Sequence, residues 1–217
     1  MSISNRLSKQ HFWEWFKRHN KEYLQLSKKS QKEGNYMLNE MKAHLRAHGR
    51  YMKFSLVWAV DGSFGILTIT SLGKSRFFER IEEFVAKAPQ IPNWEIRALE
   101  PPENPCFLIE ERFGDTGIDV DELRFIKGEE DSNIFVVYHP LYTEEQDDAF
   151  RQVAIAATYN VLGERLYGLN FDCVEVENLS RVPKKGQLLR LEELPALLGN
   201  KHSFWVVDDE GNIKESI

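Results

Sequence analysis

The chain is short of the features that announce chemistry. Only two cysteines occur among 217 residues, Cys106 and Cys173. Two distant thiols without an apolar leader fit a reducing cytoplasm, not a disulfide-stapled scaffold. No apolar run approaches the roughly 18–20 residues that a bilayer-spanning helix needs, so no membrane contact is expected. The polar N-terminus lacks the apolar segment of a secretory signal. No G-x-S-x-G, P-loop, G-x-G-x-x-G or C-x-x-C motif occurs. These absences remove the common hydrolase, nucleotide and thiol-redox sites, and no cofactor is implied.

The composition is that of an ordinary globular protein, 42% hydrophobic and 29% charged with a net charge of −6. The charge is segregated along the chain. Residues 1–50 hold eleven Lys or Arg against four Asp or Glu, whereas residues 100–217 hold eleven against twenty-five. A basic front and an acidic back can attract each other or different partners. Phosphate-binding segments favour arginine and glycine around their lysines. Here the lysines are scattered along helices, as in "KKSQKEG". Nucleic acid is therefore disfavoured, and a basic protein is the expected partner of the acidic half.

Hydrophobic periodicity gives the architecture. In "HFWEWFKRHNKEYL", Phe12, Trp15, Phe16, His19, Tyr23 and Leu26 share one helical arc opposite Glu14, Lys17, Arg18 and Lys21. The arc is a core face, and His19 within it reads as a core histidine. Trp13 and Leu24 lie off its centre, which makes Trp13 a candidate binding residue. Gly34-Asn35 is expected to end this helix, and a second runs over about 36–48, closed by Gly49. The period then falls to two. Phe54, Leu56, Trp58 and Val60 alternate, Asp61-Gly62 marks a hairpin, and "SFGILTITSLG" returns. Ser75 can cap the next helix, and "WEIRAL" is a strand.

The same order recurs in "DELRFIK", "IFVVYHP", the helix starting at Thr143 and "GLNFDCVEVENL", before a short helix and a strand. The fold class expected is α+β: an N-terminal helical hairpin followed by two β-β-α-β units with largely antiparallel sheet. The divisions are 1–50 for the hairpin, 51–102 for the first unit and 103–217 for the second with its C-terminal helix and strand, together one compact unit. The sheet face opposite the repeat helices needs a cover, and the aromatic hairpin is the natural one.

Candidate chemistry is sparse. Glu40, His44 and His48 share one helix edge, but Leu45 stands where a zinc protease motif places its glutamate, so His44 and His48 are only a weak metal pair. The acidic pairs Glu110/Glu111, Glu129/Glu130, Glu144/Glu145 and Asp147/Asp148 read as solvated turns and a helix start. The most suggestive connection is "VYHPLYT", which brings Tyr138, His139 and Tyr142 to a strand-to-helix junction where free N–H groups could hold an anion or small polar ligand. The acids that follow oppose an anion.

The stretches "FWEWF", "LTITSLG" and "IPNWEIRALEPP" together resemble an uncharacterised bacterial protein family over about residues 12–102. That resemblance implies a bacterial, cytoplasmic α+β protein. More distantly, the β-β-α-β units and acidic surface resemble the acidic proteins that inhibit ribonuclease E. No residue carries over, and the basic N-terminal helices depart from them. The expectation is a non-catalytic binding or regulatory protein that meets a protein partner through an acidic surface. The alternative is an enzyme or small-ligand binder with its site at Tyr138–Tyr142.

Overall fold

The computed structural model describes residues 12–103, 116–126, 134–183 and 187–198, and the backbone of Phe204–Val207 and Ile213–Ser216. Cys106 and the pairs Glu110/Glu111 and Glu129/Glu130 lie outside the described residues. The fold is α+β, in two units, Met1–Glu100 and Pro101–Ile217. The helical hairpin is therefore not a separate division. It shares one hydrophobic core with the first β-β-α-β motif.

The first unit runs α1 (Phe12–Leu24), α2 (Gln31–His48), β1 (Lys53–Trp58), β2 (Gly65–Thr70), α3 (Phe78–Val85) and β3 (Trp94–Ala98). β1 and β2 pair antiparallel. β2 and β3 pair parallel through the α3 crossover. Gly34-Asn35 does not end α1. It lies inside α2, because Ser30 starts that helix with a capping box. The Ser30 hydroxyl accepts the Glu33 N–H while the Glu33 carboxylate accepts the Ser30 N–H, satisfying two donors that have no partner within the helix.

All three helices of this unit lie on one face of its sheet. Leu67 and Ile69 of β2 are fully buried, and their neighbours on the same face are Phe54, Leu56, Ile96 and Ala98. The hairpin meets α3 there directly: the rings of Phe12 and Phe84 are 5.4 Å apart. The expectation that the hairpin covers the opposite face is thus corrected. The opposite face is mixed: it carries Lys53, Ser55, Thr68, Thr70, Glu95 and Arg97 beside Val57 and Ile66, a poorer surface for an aromatic helix than the all-apolar face. Val60 is not part of the apolar alternation either. It sits in the connection between β1 and β2, 91% exposed, where the chain turns at Gly62 with φ of 74°.

The second unit runs β4 (Arg124–Ile126), β5 (Ile134–His139), α4 (Asp147–Asn170), β6 (Cys173–Asn178), β7 (Leu188–Arg190) and a short α5 (Leu194–Leu198). β4 and β5 pair antiparallel, and β5 and β6 pair parallel. That repeats the order and sense of the first unit. β7 adds antiparallel to the free edge of β4, giving the strand order β6-β5-β4-β7. The two motifs have separate sheets, each mixed. A further antiparallel hairpin joins β8 (Phe204–Val207) to β9 (Ile213–Ser216).

α4 buries Phe150, Val153, Ala154, Ala157 and Leu162 against the sheet. It is broken at Gly163, whose φ of 68° and ψ of 167° are not helical. A Cβ there would stand 2.7 Å from the backbone nitrogen of Pro102. One turn earlier, the Asn160 carbonyl accepts the Glu103 N–H at 2.7 Å. The break thus seats the segment that enters the unit. No described helix is long and apolar enough to cross a membrane.

Candidate functional site

The strand-to-helix junction after β5 is built by a turn. Tyr142 N–H donates to the His139 carbonyl at 3.3 Å, and Pro140 at the second position presets the backbone. Along β5 the burial alternates, with Phe135, Val137 and His139 inward and Ile134, Val136 and Tyr138 on the other face. The sequence groups Tyr138, His139 and Tyr142, but the structure separates them. Tyr138 stands beside Glu177 in the sheet register, and its phenol is held above its ordinary pKa by burial and then by that carboxylate. His139 and Tyr142 share the α4 side, 5.0 Å and 5.5 Å from the Phe150 ring.

His139 is fully buried. Its Nδ1 accepts the Leu141 N–H at 3.1 Å. That assigns the ring proton to Nε2, which donates to the Asp119 carbonyl at 3.2 Å. The Glu122 carboxylate lies 3.7 Å from the same nitrogen. Burial holds the imidazole below its ordinary pKa; Asp119 and Glu122 pull the other way, and Arg124 adds to the depression. With both nitrogens engaged and no exposed surface, His139 fastens the 3-10 turn Val120–Glu122 to the junction.

A second clamp comes from β6. The Asn178 amide donates to the carbonyls of Pro140 and Tyr142, at 3.2 and 2.8 Å. Its oxygen accepts from Ser180 N–H and Oγ. Tyr142 OH donates to Asp147 at 2.9 Å, and that bond, after burial, raises the phenol's pKa. Arg181 bridges Glu144 and Glu177 at 3.2 and 3.4 Å.

These contacts engage carboxylates from three elements: Glu122 before β4 beside His139, Glu144 and Asp147 at the start of α4, and Glu177 on β6, with Arg151 on Asp147 and Arg181 between Glu144 and Glu177. Leu141, on the turn itself, has 64% of its surface exposed. The helix start does not offer a clear anion site, because it begins with the 3-10 turn Glu144–Gln146, acidic itself.

The other candidates are structural in their placement. Trp13 is half-buried. Its indole N–H donates to the Phe84 carbonyl at 3.0 Å, and its ring stacks on Phe84 at 4.9 Å. His44 lies flat on Trp15, 4.1 Å between centroids. His48 approaches Phe84 at 4.8 Å. Among the described residues, no group of three His, Cys, Asp or Glu is placed to hold a metal ion. His19, expected in the core, has a side chain 40% exposed and sits 3.5 Å from Glu22. Sequence reasoning missed Asp119, Leu141, Asn178 and Arg181. Asp119 and Asn178 carried a local signal, since each caps a 3-10 turn as an Asx turn by accepting the N–H two residues on. No family model, curated protein or solved structure matches the chain.

Proposed function

We propose that the second unit is a non-catalytic protein-binding module whose acidic junction receives a basic partner. The observation that carries it is Leu141, an exposed apolar side chain on a turn pinned by His139 and Asn178, in a junction whose other bonds engage Glu122, Glu144, Asp147 and Glu177. A central apolar anchor with a charged rim is the usual anatomy of a protein-recognition surface. Arg151 and Arg181 pair with part of that rim, and the acidic excess of residues 100–217 favours a basic surface and speeds encounter. The distant resemblance to acidic ribonuclease E inhibitors agrees with this, and a bacterial cytoplasm is the setting it implies. An enzymatic or small-ligand site at Tyr138–Tyr142 has less support, since Tyr138 faces away and His139 is enclosed.

Capture of partners from native lysate on the immobilised chain tests the proposal. A specific basic protein should be recovered at low salt and weaken as salt screens the contact. The double substitution Glu122→Lys with Glu144→Lys, on exposed side chains of that junction, should abolish recovery, as should Leu141→Asp. Equal recovery by the wild type and both variants overturns it.

A further inference from the structure

We propose that His139 is a protonation switch for the acidic junction: a proton added at Nδ1 removes the acceptor that holds Leu141 and loosens the binding surface. The inference rests on the junction's reading as a protein-binding surface and names how that surface is regulated.

The geometry permits no neutral outcome. In the neutral ring one nitrogen accepts and the other donates, and both roles are filled, by Leu141 N–H and the Asp119 carbonyl. In the imidazolium both nitrogens donate. The proton enters from solvent onto the Nδ1 lone pair. The Nδ1–H then faces the Leu141 N–H, donor against donor. The Leu141 amide must turn away, and the exposed Leu141 side chain moves with it. On the other side of the ring Nε2–H is unchanged, but the added positive charge draws the Glu122 carboxylate, now 3.7 Å away, toward it. The two sides of the ring touch the two segments that frame the surface, so one proton acts on both.

The charged groups that face the ring are Asp119 and Glu122 from the 3-10 turn side and Arg124 from β4. From α4 it meets the Phe150 ring, and the nearby Asp147 is engaged by Tyr142 and Arg151. Desolvation is the largest influence and keeps the ring neutral at neutral pH. A histidine held in that way takes its proton only as the pH falls below the ordinary imidazole range.

The test is a pH titration of the full chain, labelled with 15N and 13C, from about pH 7.5 downward past the ordinary imidazole value until the His139 ring has titrated. Long-range ring correlations at the upper pH should show Nδ1 bare and Nε2 protonated. The His139 ring and the Leu141 amide should then shift in one step, with the amides of residues 119–122 following. Glu122→Gln alters a half-exposed side chain, so the variant keeps its fold, and the step should move to lower pH. A Leu141 amide that stays still through the His139 step overturns the switch, and so does an unmoved step in Glu122→Gln. A hexa-arginine peptide serves as the basic probe. Its affinity should fall roughly fivefold or more across the step, and the fall should move with the Glu122→Gln shift. Equal affinity at both ends of the titration overturns the switch. A peptide that binds at neither pH sinks the binding-surface reading alone, while the ring and amide shifts still decide the switch.

Discussion

The indole N–H of Trp13 donates to the carbonyl of Phe84, 71 positions along the chain, while the indole ring stacks on the Phe84 ring. The bond ties the first turn of α1 to the last turn of α3. The Phe84 carbonyl lies at a helix end and accepts the Lys87 N–H at 3.3 Å as well as the indole. Trp13→Phe keeps the stack and removes the donor, so it should cost about 1 kcal/mol. Trp13→Ala removes both and should cost about 3 kcal/mol. Urea unfolding of the two variants checks this. An alanine variant as stable as wild type would show that the ring does not tie the helices.

Phe16 is fully buried and meets the Trp94 ring at 5.0 Å. Phe16→Ala should cost about 3–5 kcal/mol, since the cavity lies between helix and sheet and cannot collapse easily. Thermal melts of variant and wild type decide it.

The amphipathic stripe of α1 and the change from period 3.6 to period 2 were legible because burial writes directly into residue spacing. The repeat of β-β-α-β order was legible for the same reason. The end of α1 was not. Gly34 looked like a stop, but the Ser30-x-x-Glu33 capping box outweighs the modest cost of glycine inside a helix. The hairpin's side of the sheet was not legible either, since it depends on Phe12 and Trp13 finding Phe84 across the chain. The candidate site was half legible. "VYHPLYT" marked the right turn, but the alternation along β5 sends Tyr138 and His139 to opposite faces, and a period of two already implies that. The carboxylates that meet His139, Tyr142 and Arg181 come from segments far apart in sequence, which no local pattern joins.

Ser30→Ala should lower stability by about 1 kcal/mol through the lost cap. The Ser30 bonds also hold the Glu33 carboxyl below its ordinary pKa. The Glu33 resonance in the variant should therefore titrate at higher pH than in wild type. An unchanged Glu33 titration would mean that the capping box does not form in solution.

Gly163 occupies the left-handed region with Pro102 packed against it. Gly163→Ala adds a methyl group where the Pro101–Pro102 backbone already stands, and strains the backbone besides. The strain alone is about 1–3 kcal/mol, and the collision adds to it. The variant should unfold at clearly lower urea concentration. Hydrogen exchange should show the Glu103 amide losing protection first, because its acceptor Asn160 lies one turn from the altered residue. A variant of wild-type stability would mean that α4 runs straight through this position.

His44 makes the first unit sensitive to acid. Its ring is stacked on Trp15 and desolvated, and His19 and His48 stand close enough to oppose its charge. Desolvation is the larger cause, and both lower its pKa from the ordinary value of 6.5. The sign follows from linkage. The folded state holds the proton more weakly than the unfolded state, so stability is fully present above the unfolded value. It is lost as pH falls below about 6.5 and through the folded pKa. His139 in the second unit is depressed too and contributes in the same direction. Urea unfolding at a series of pH values from about 7.5 to 5 should show stability falling in that window. His44→Phe keeps a flat ring against Trp15 but cannot take a proton. Its stability should fall less steeply over the same window, leaving the His139 share. Parallel pH profiles for His44→Phe and wild type would mean that His44 titrates alike folded and unfolded, and the Trp15 stack would then carry no penalty for charge.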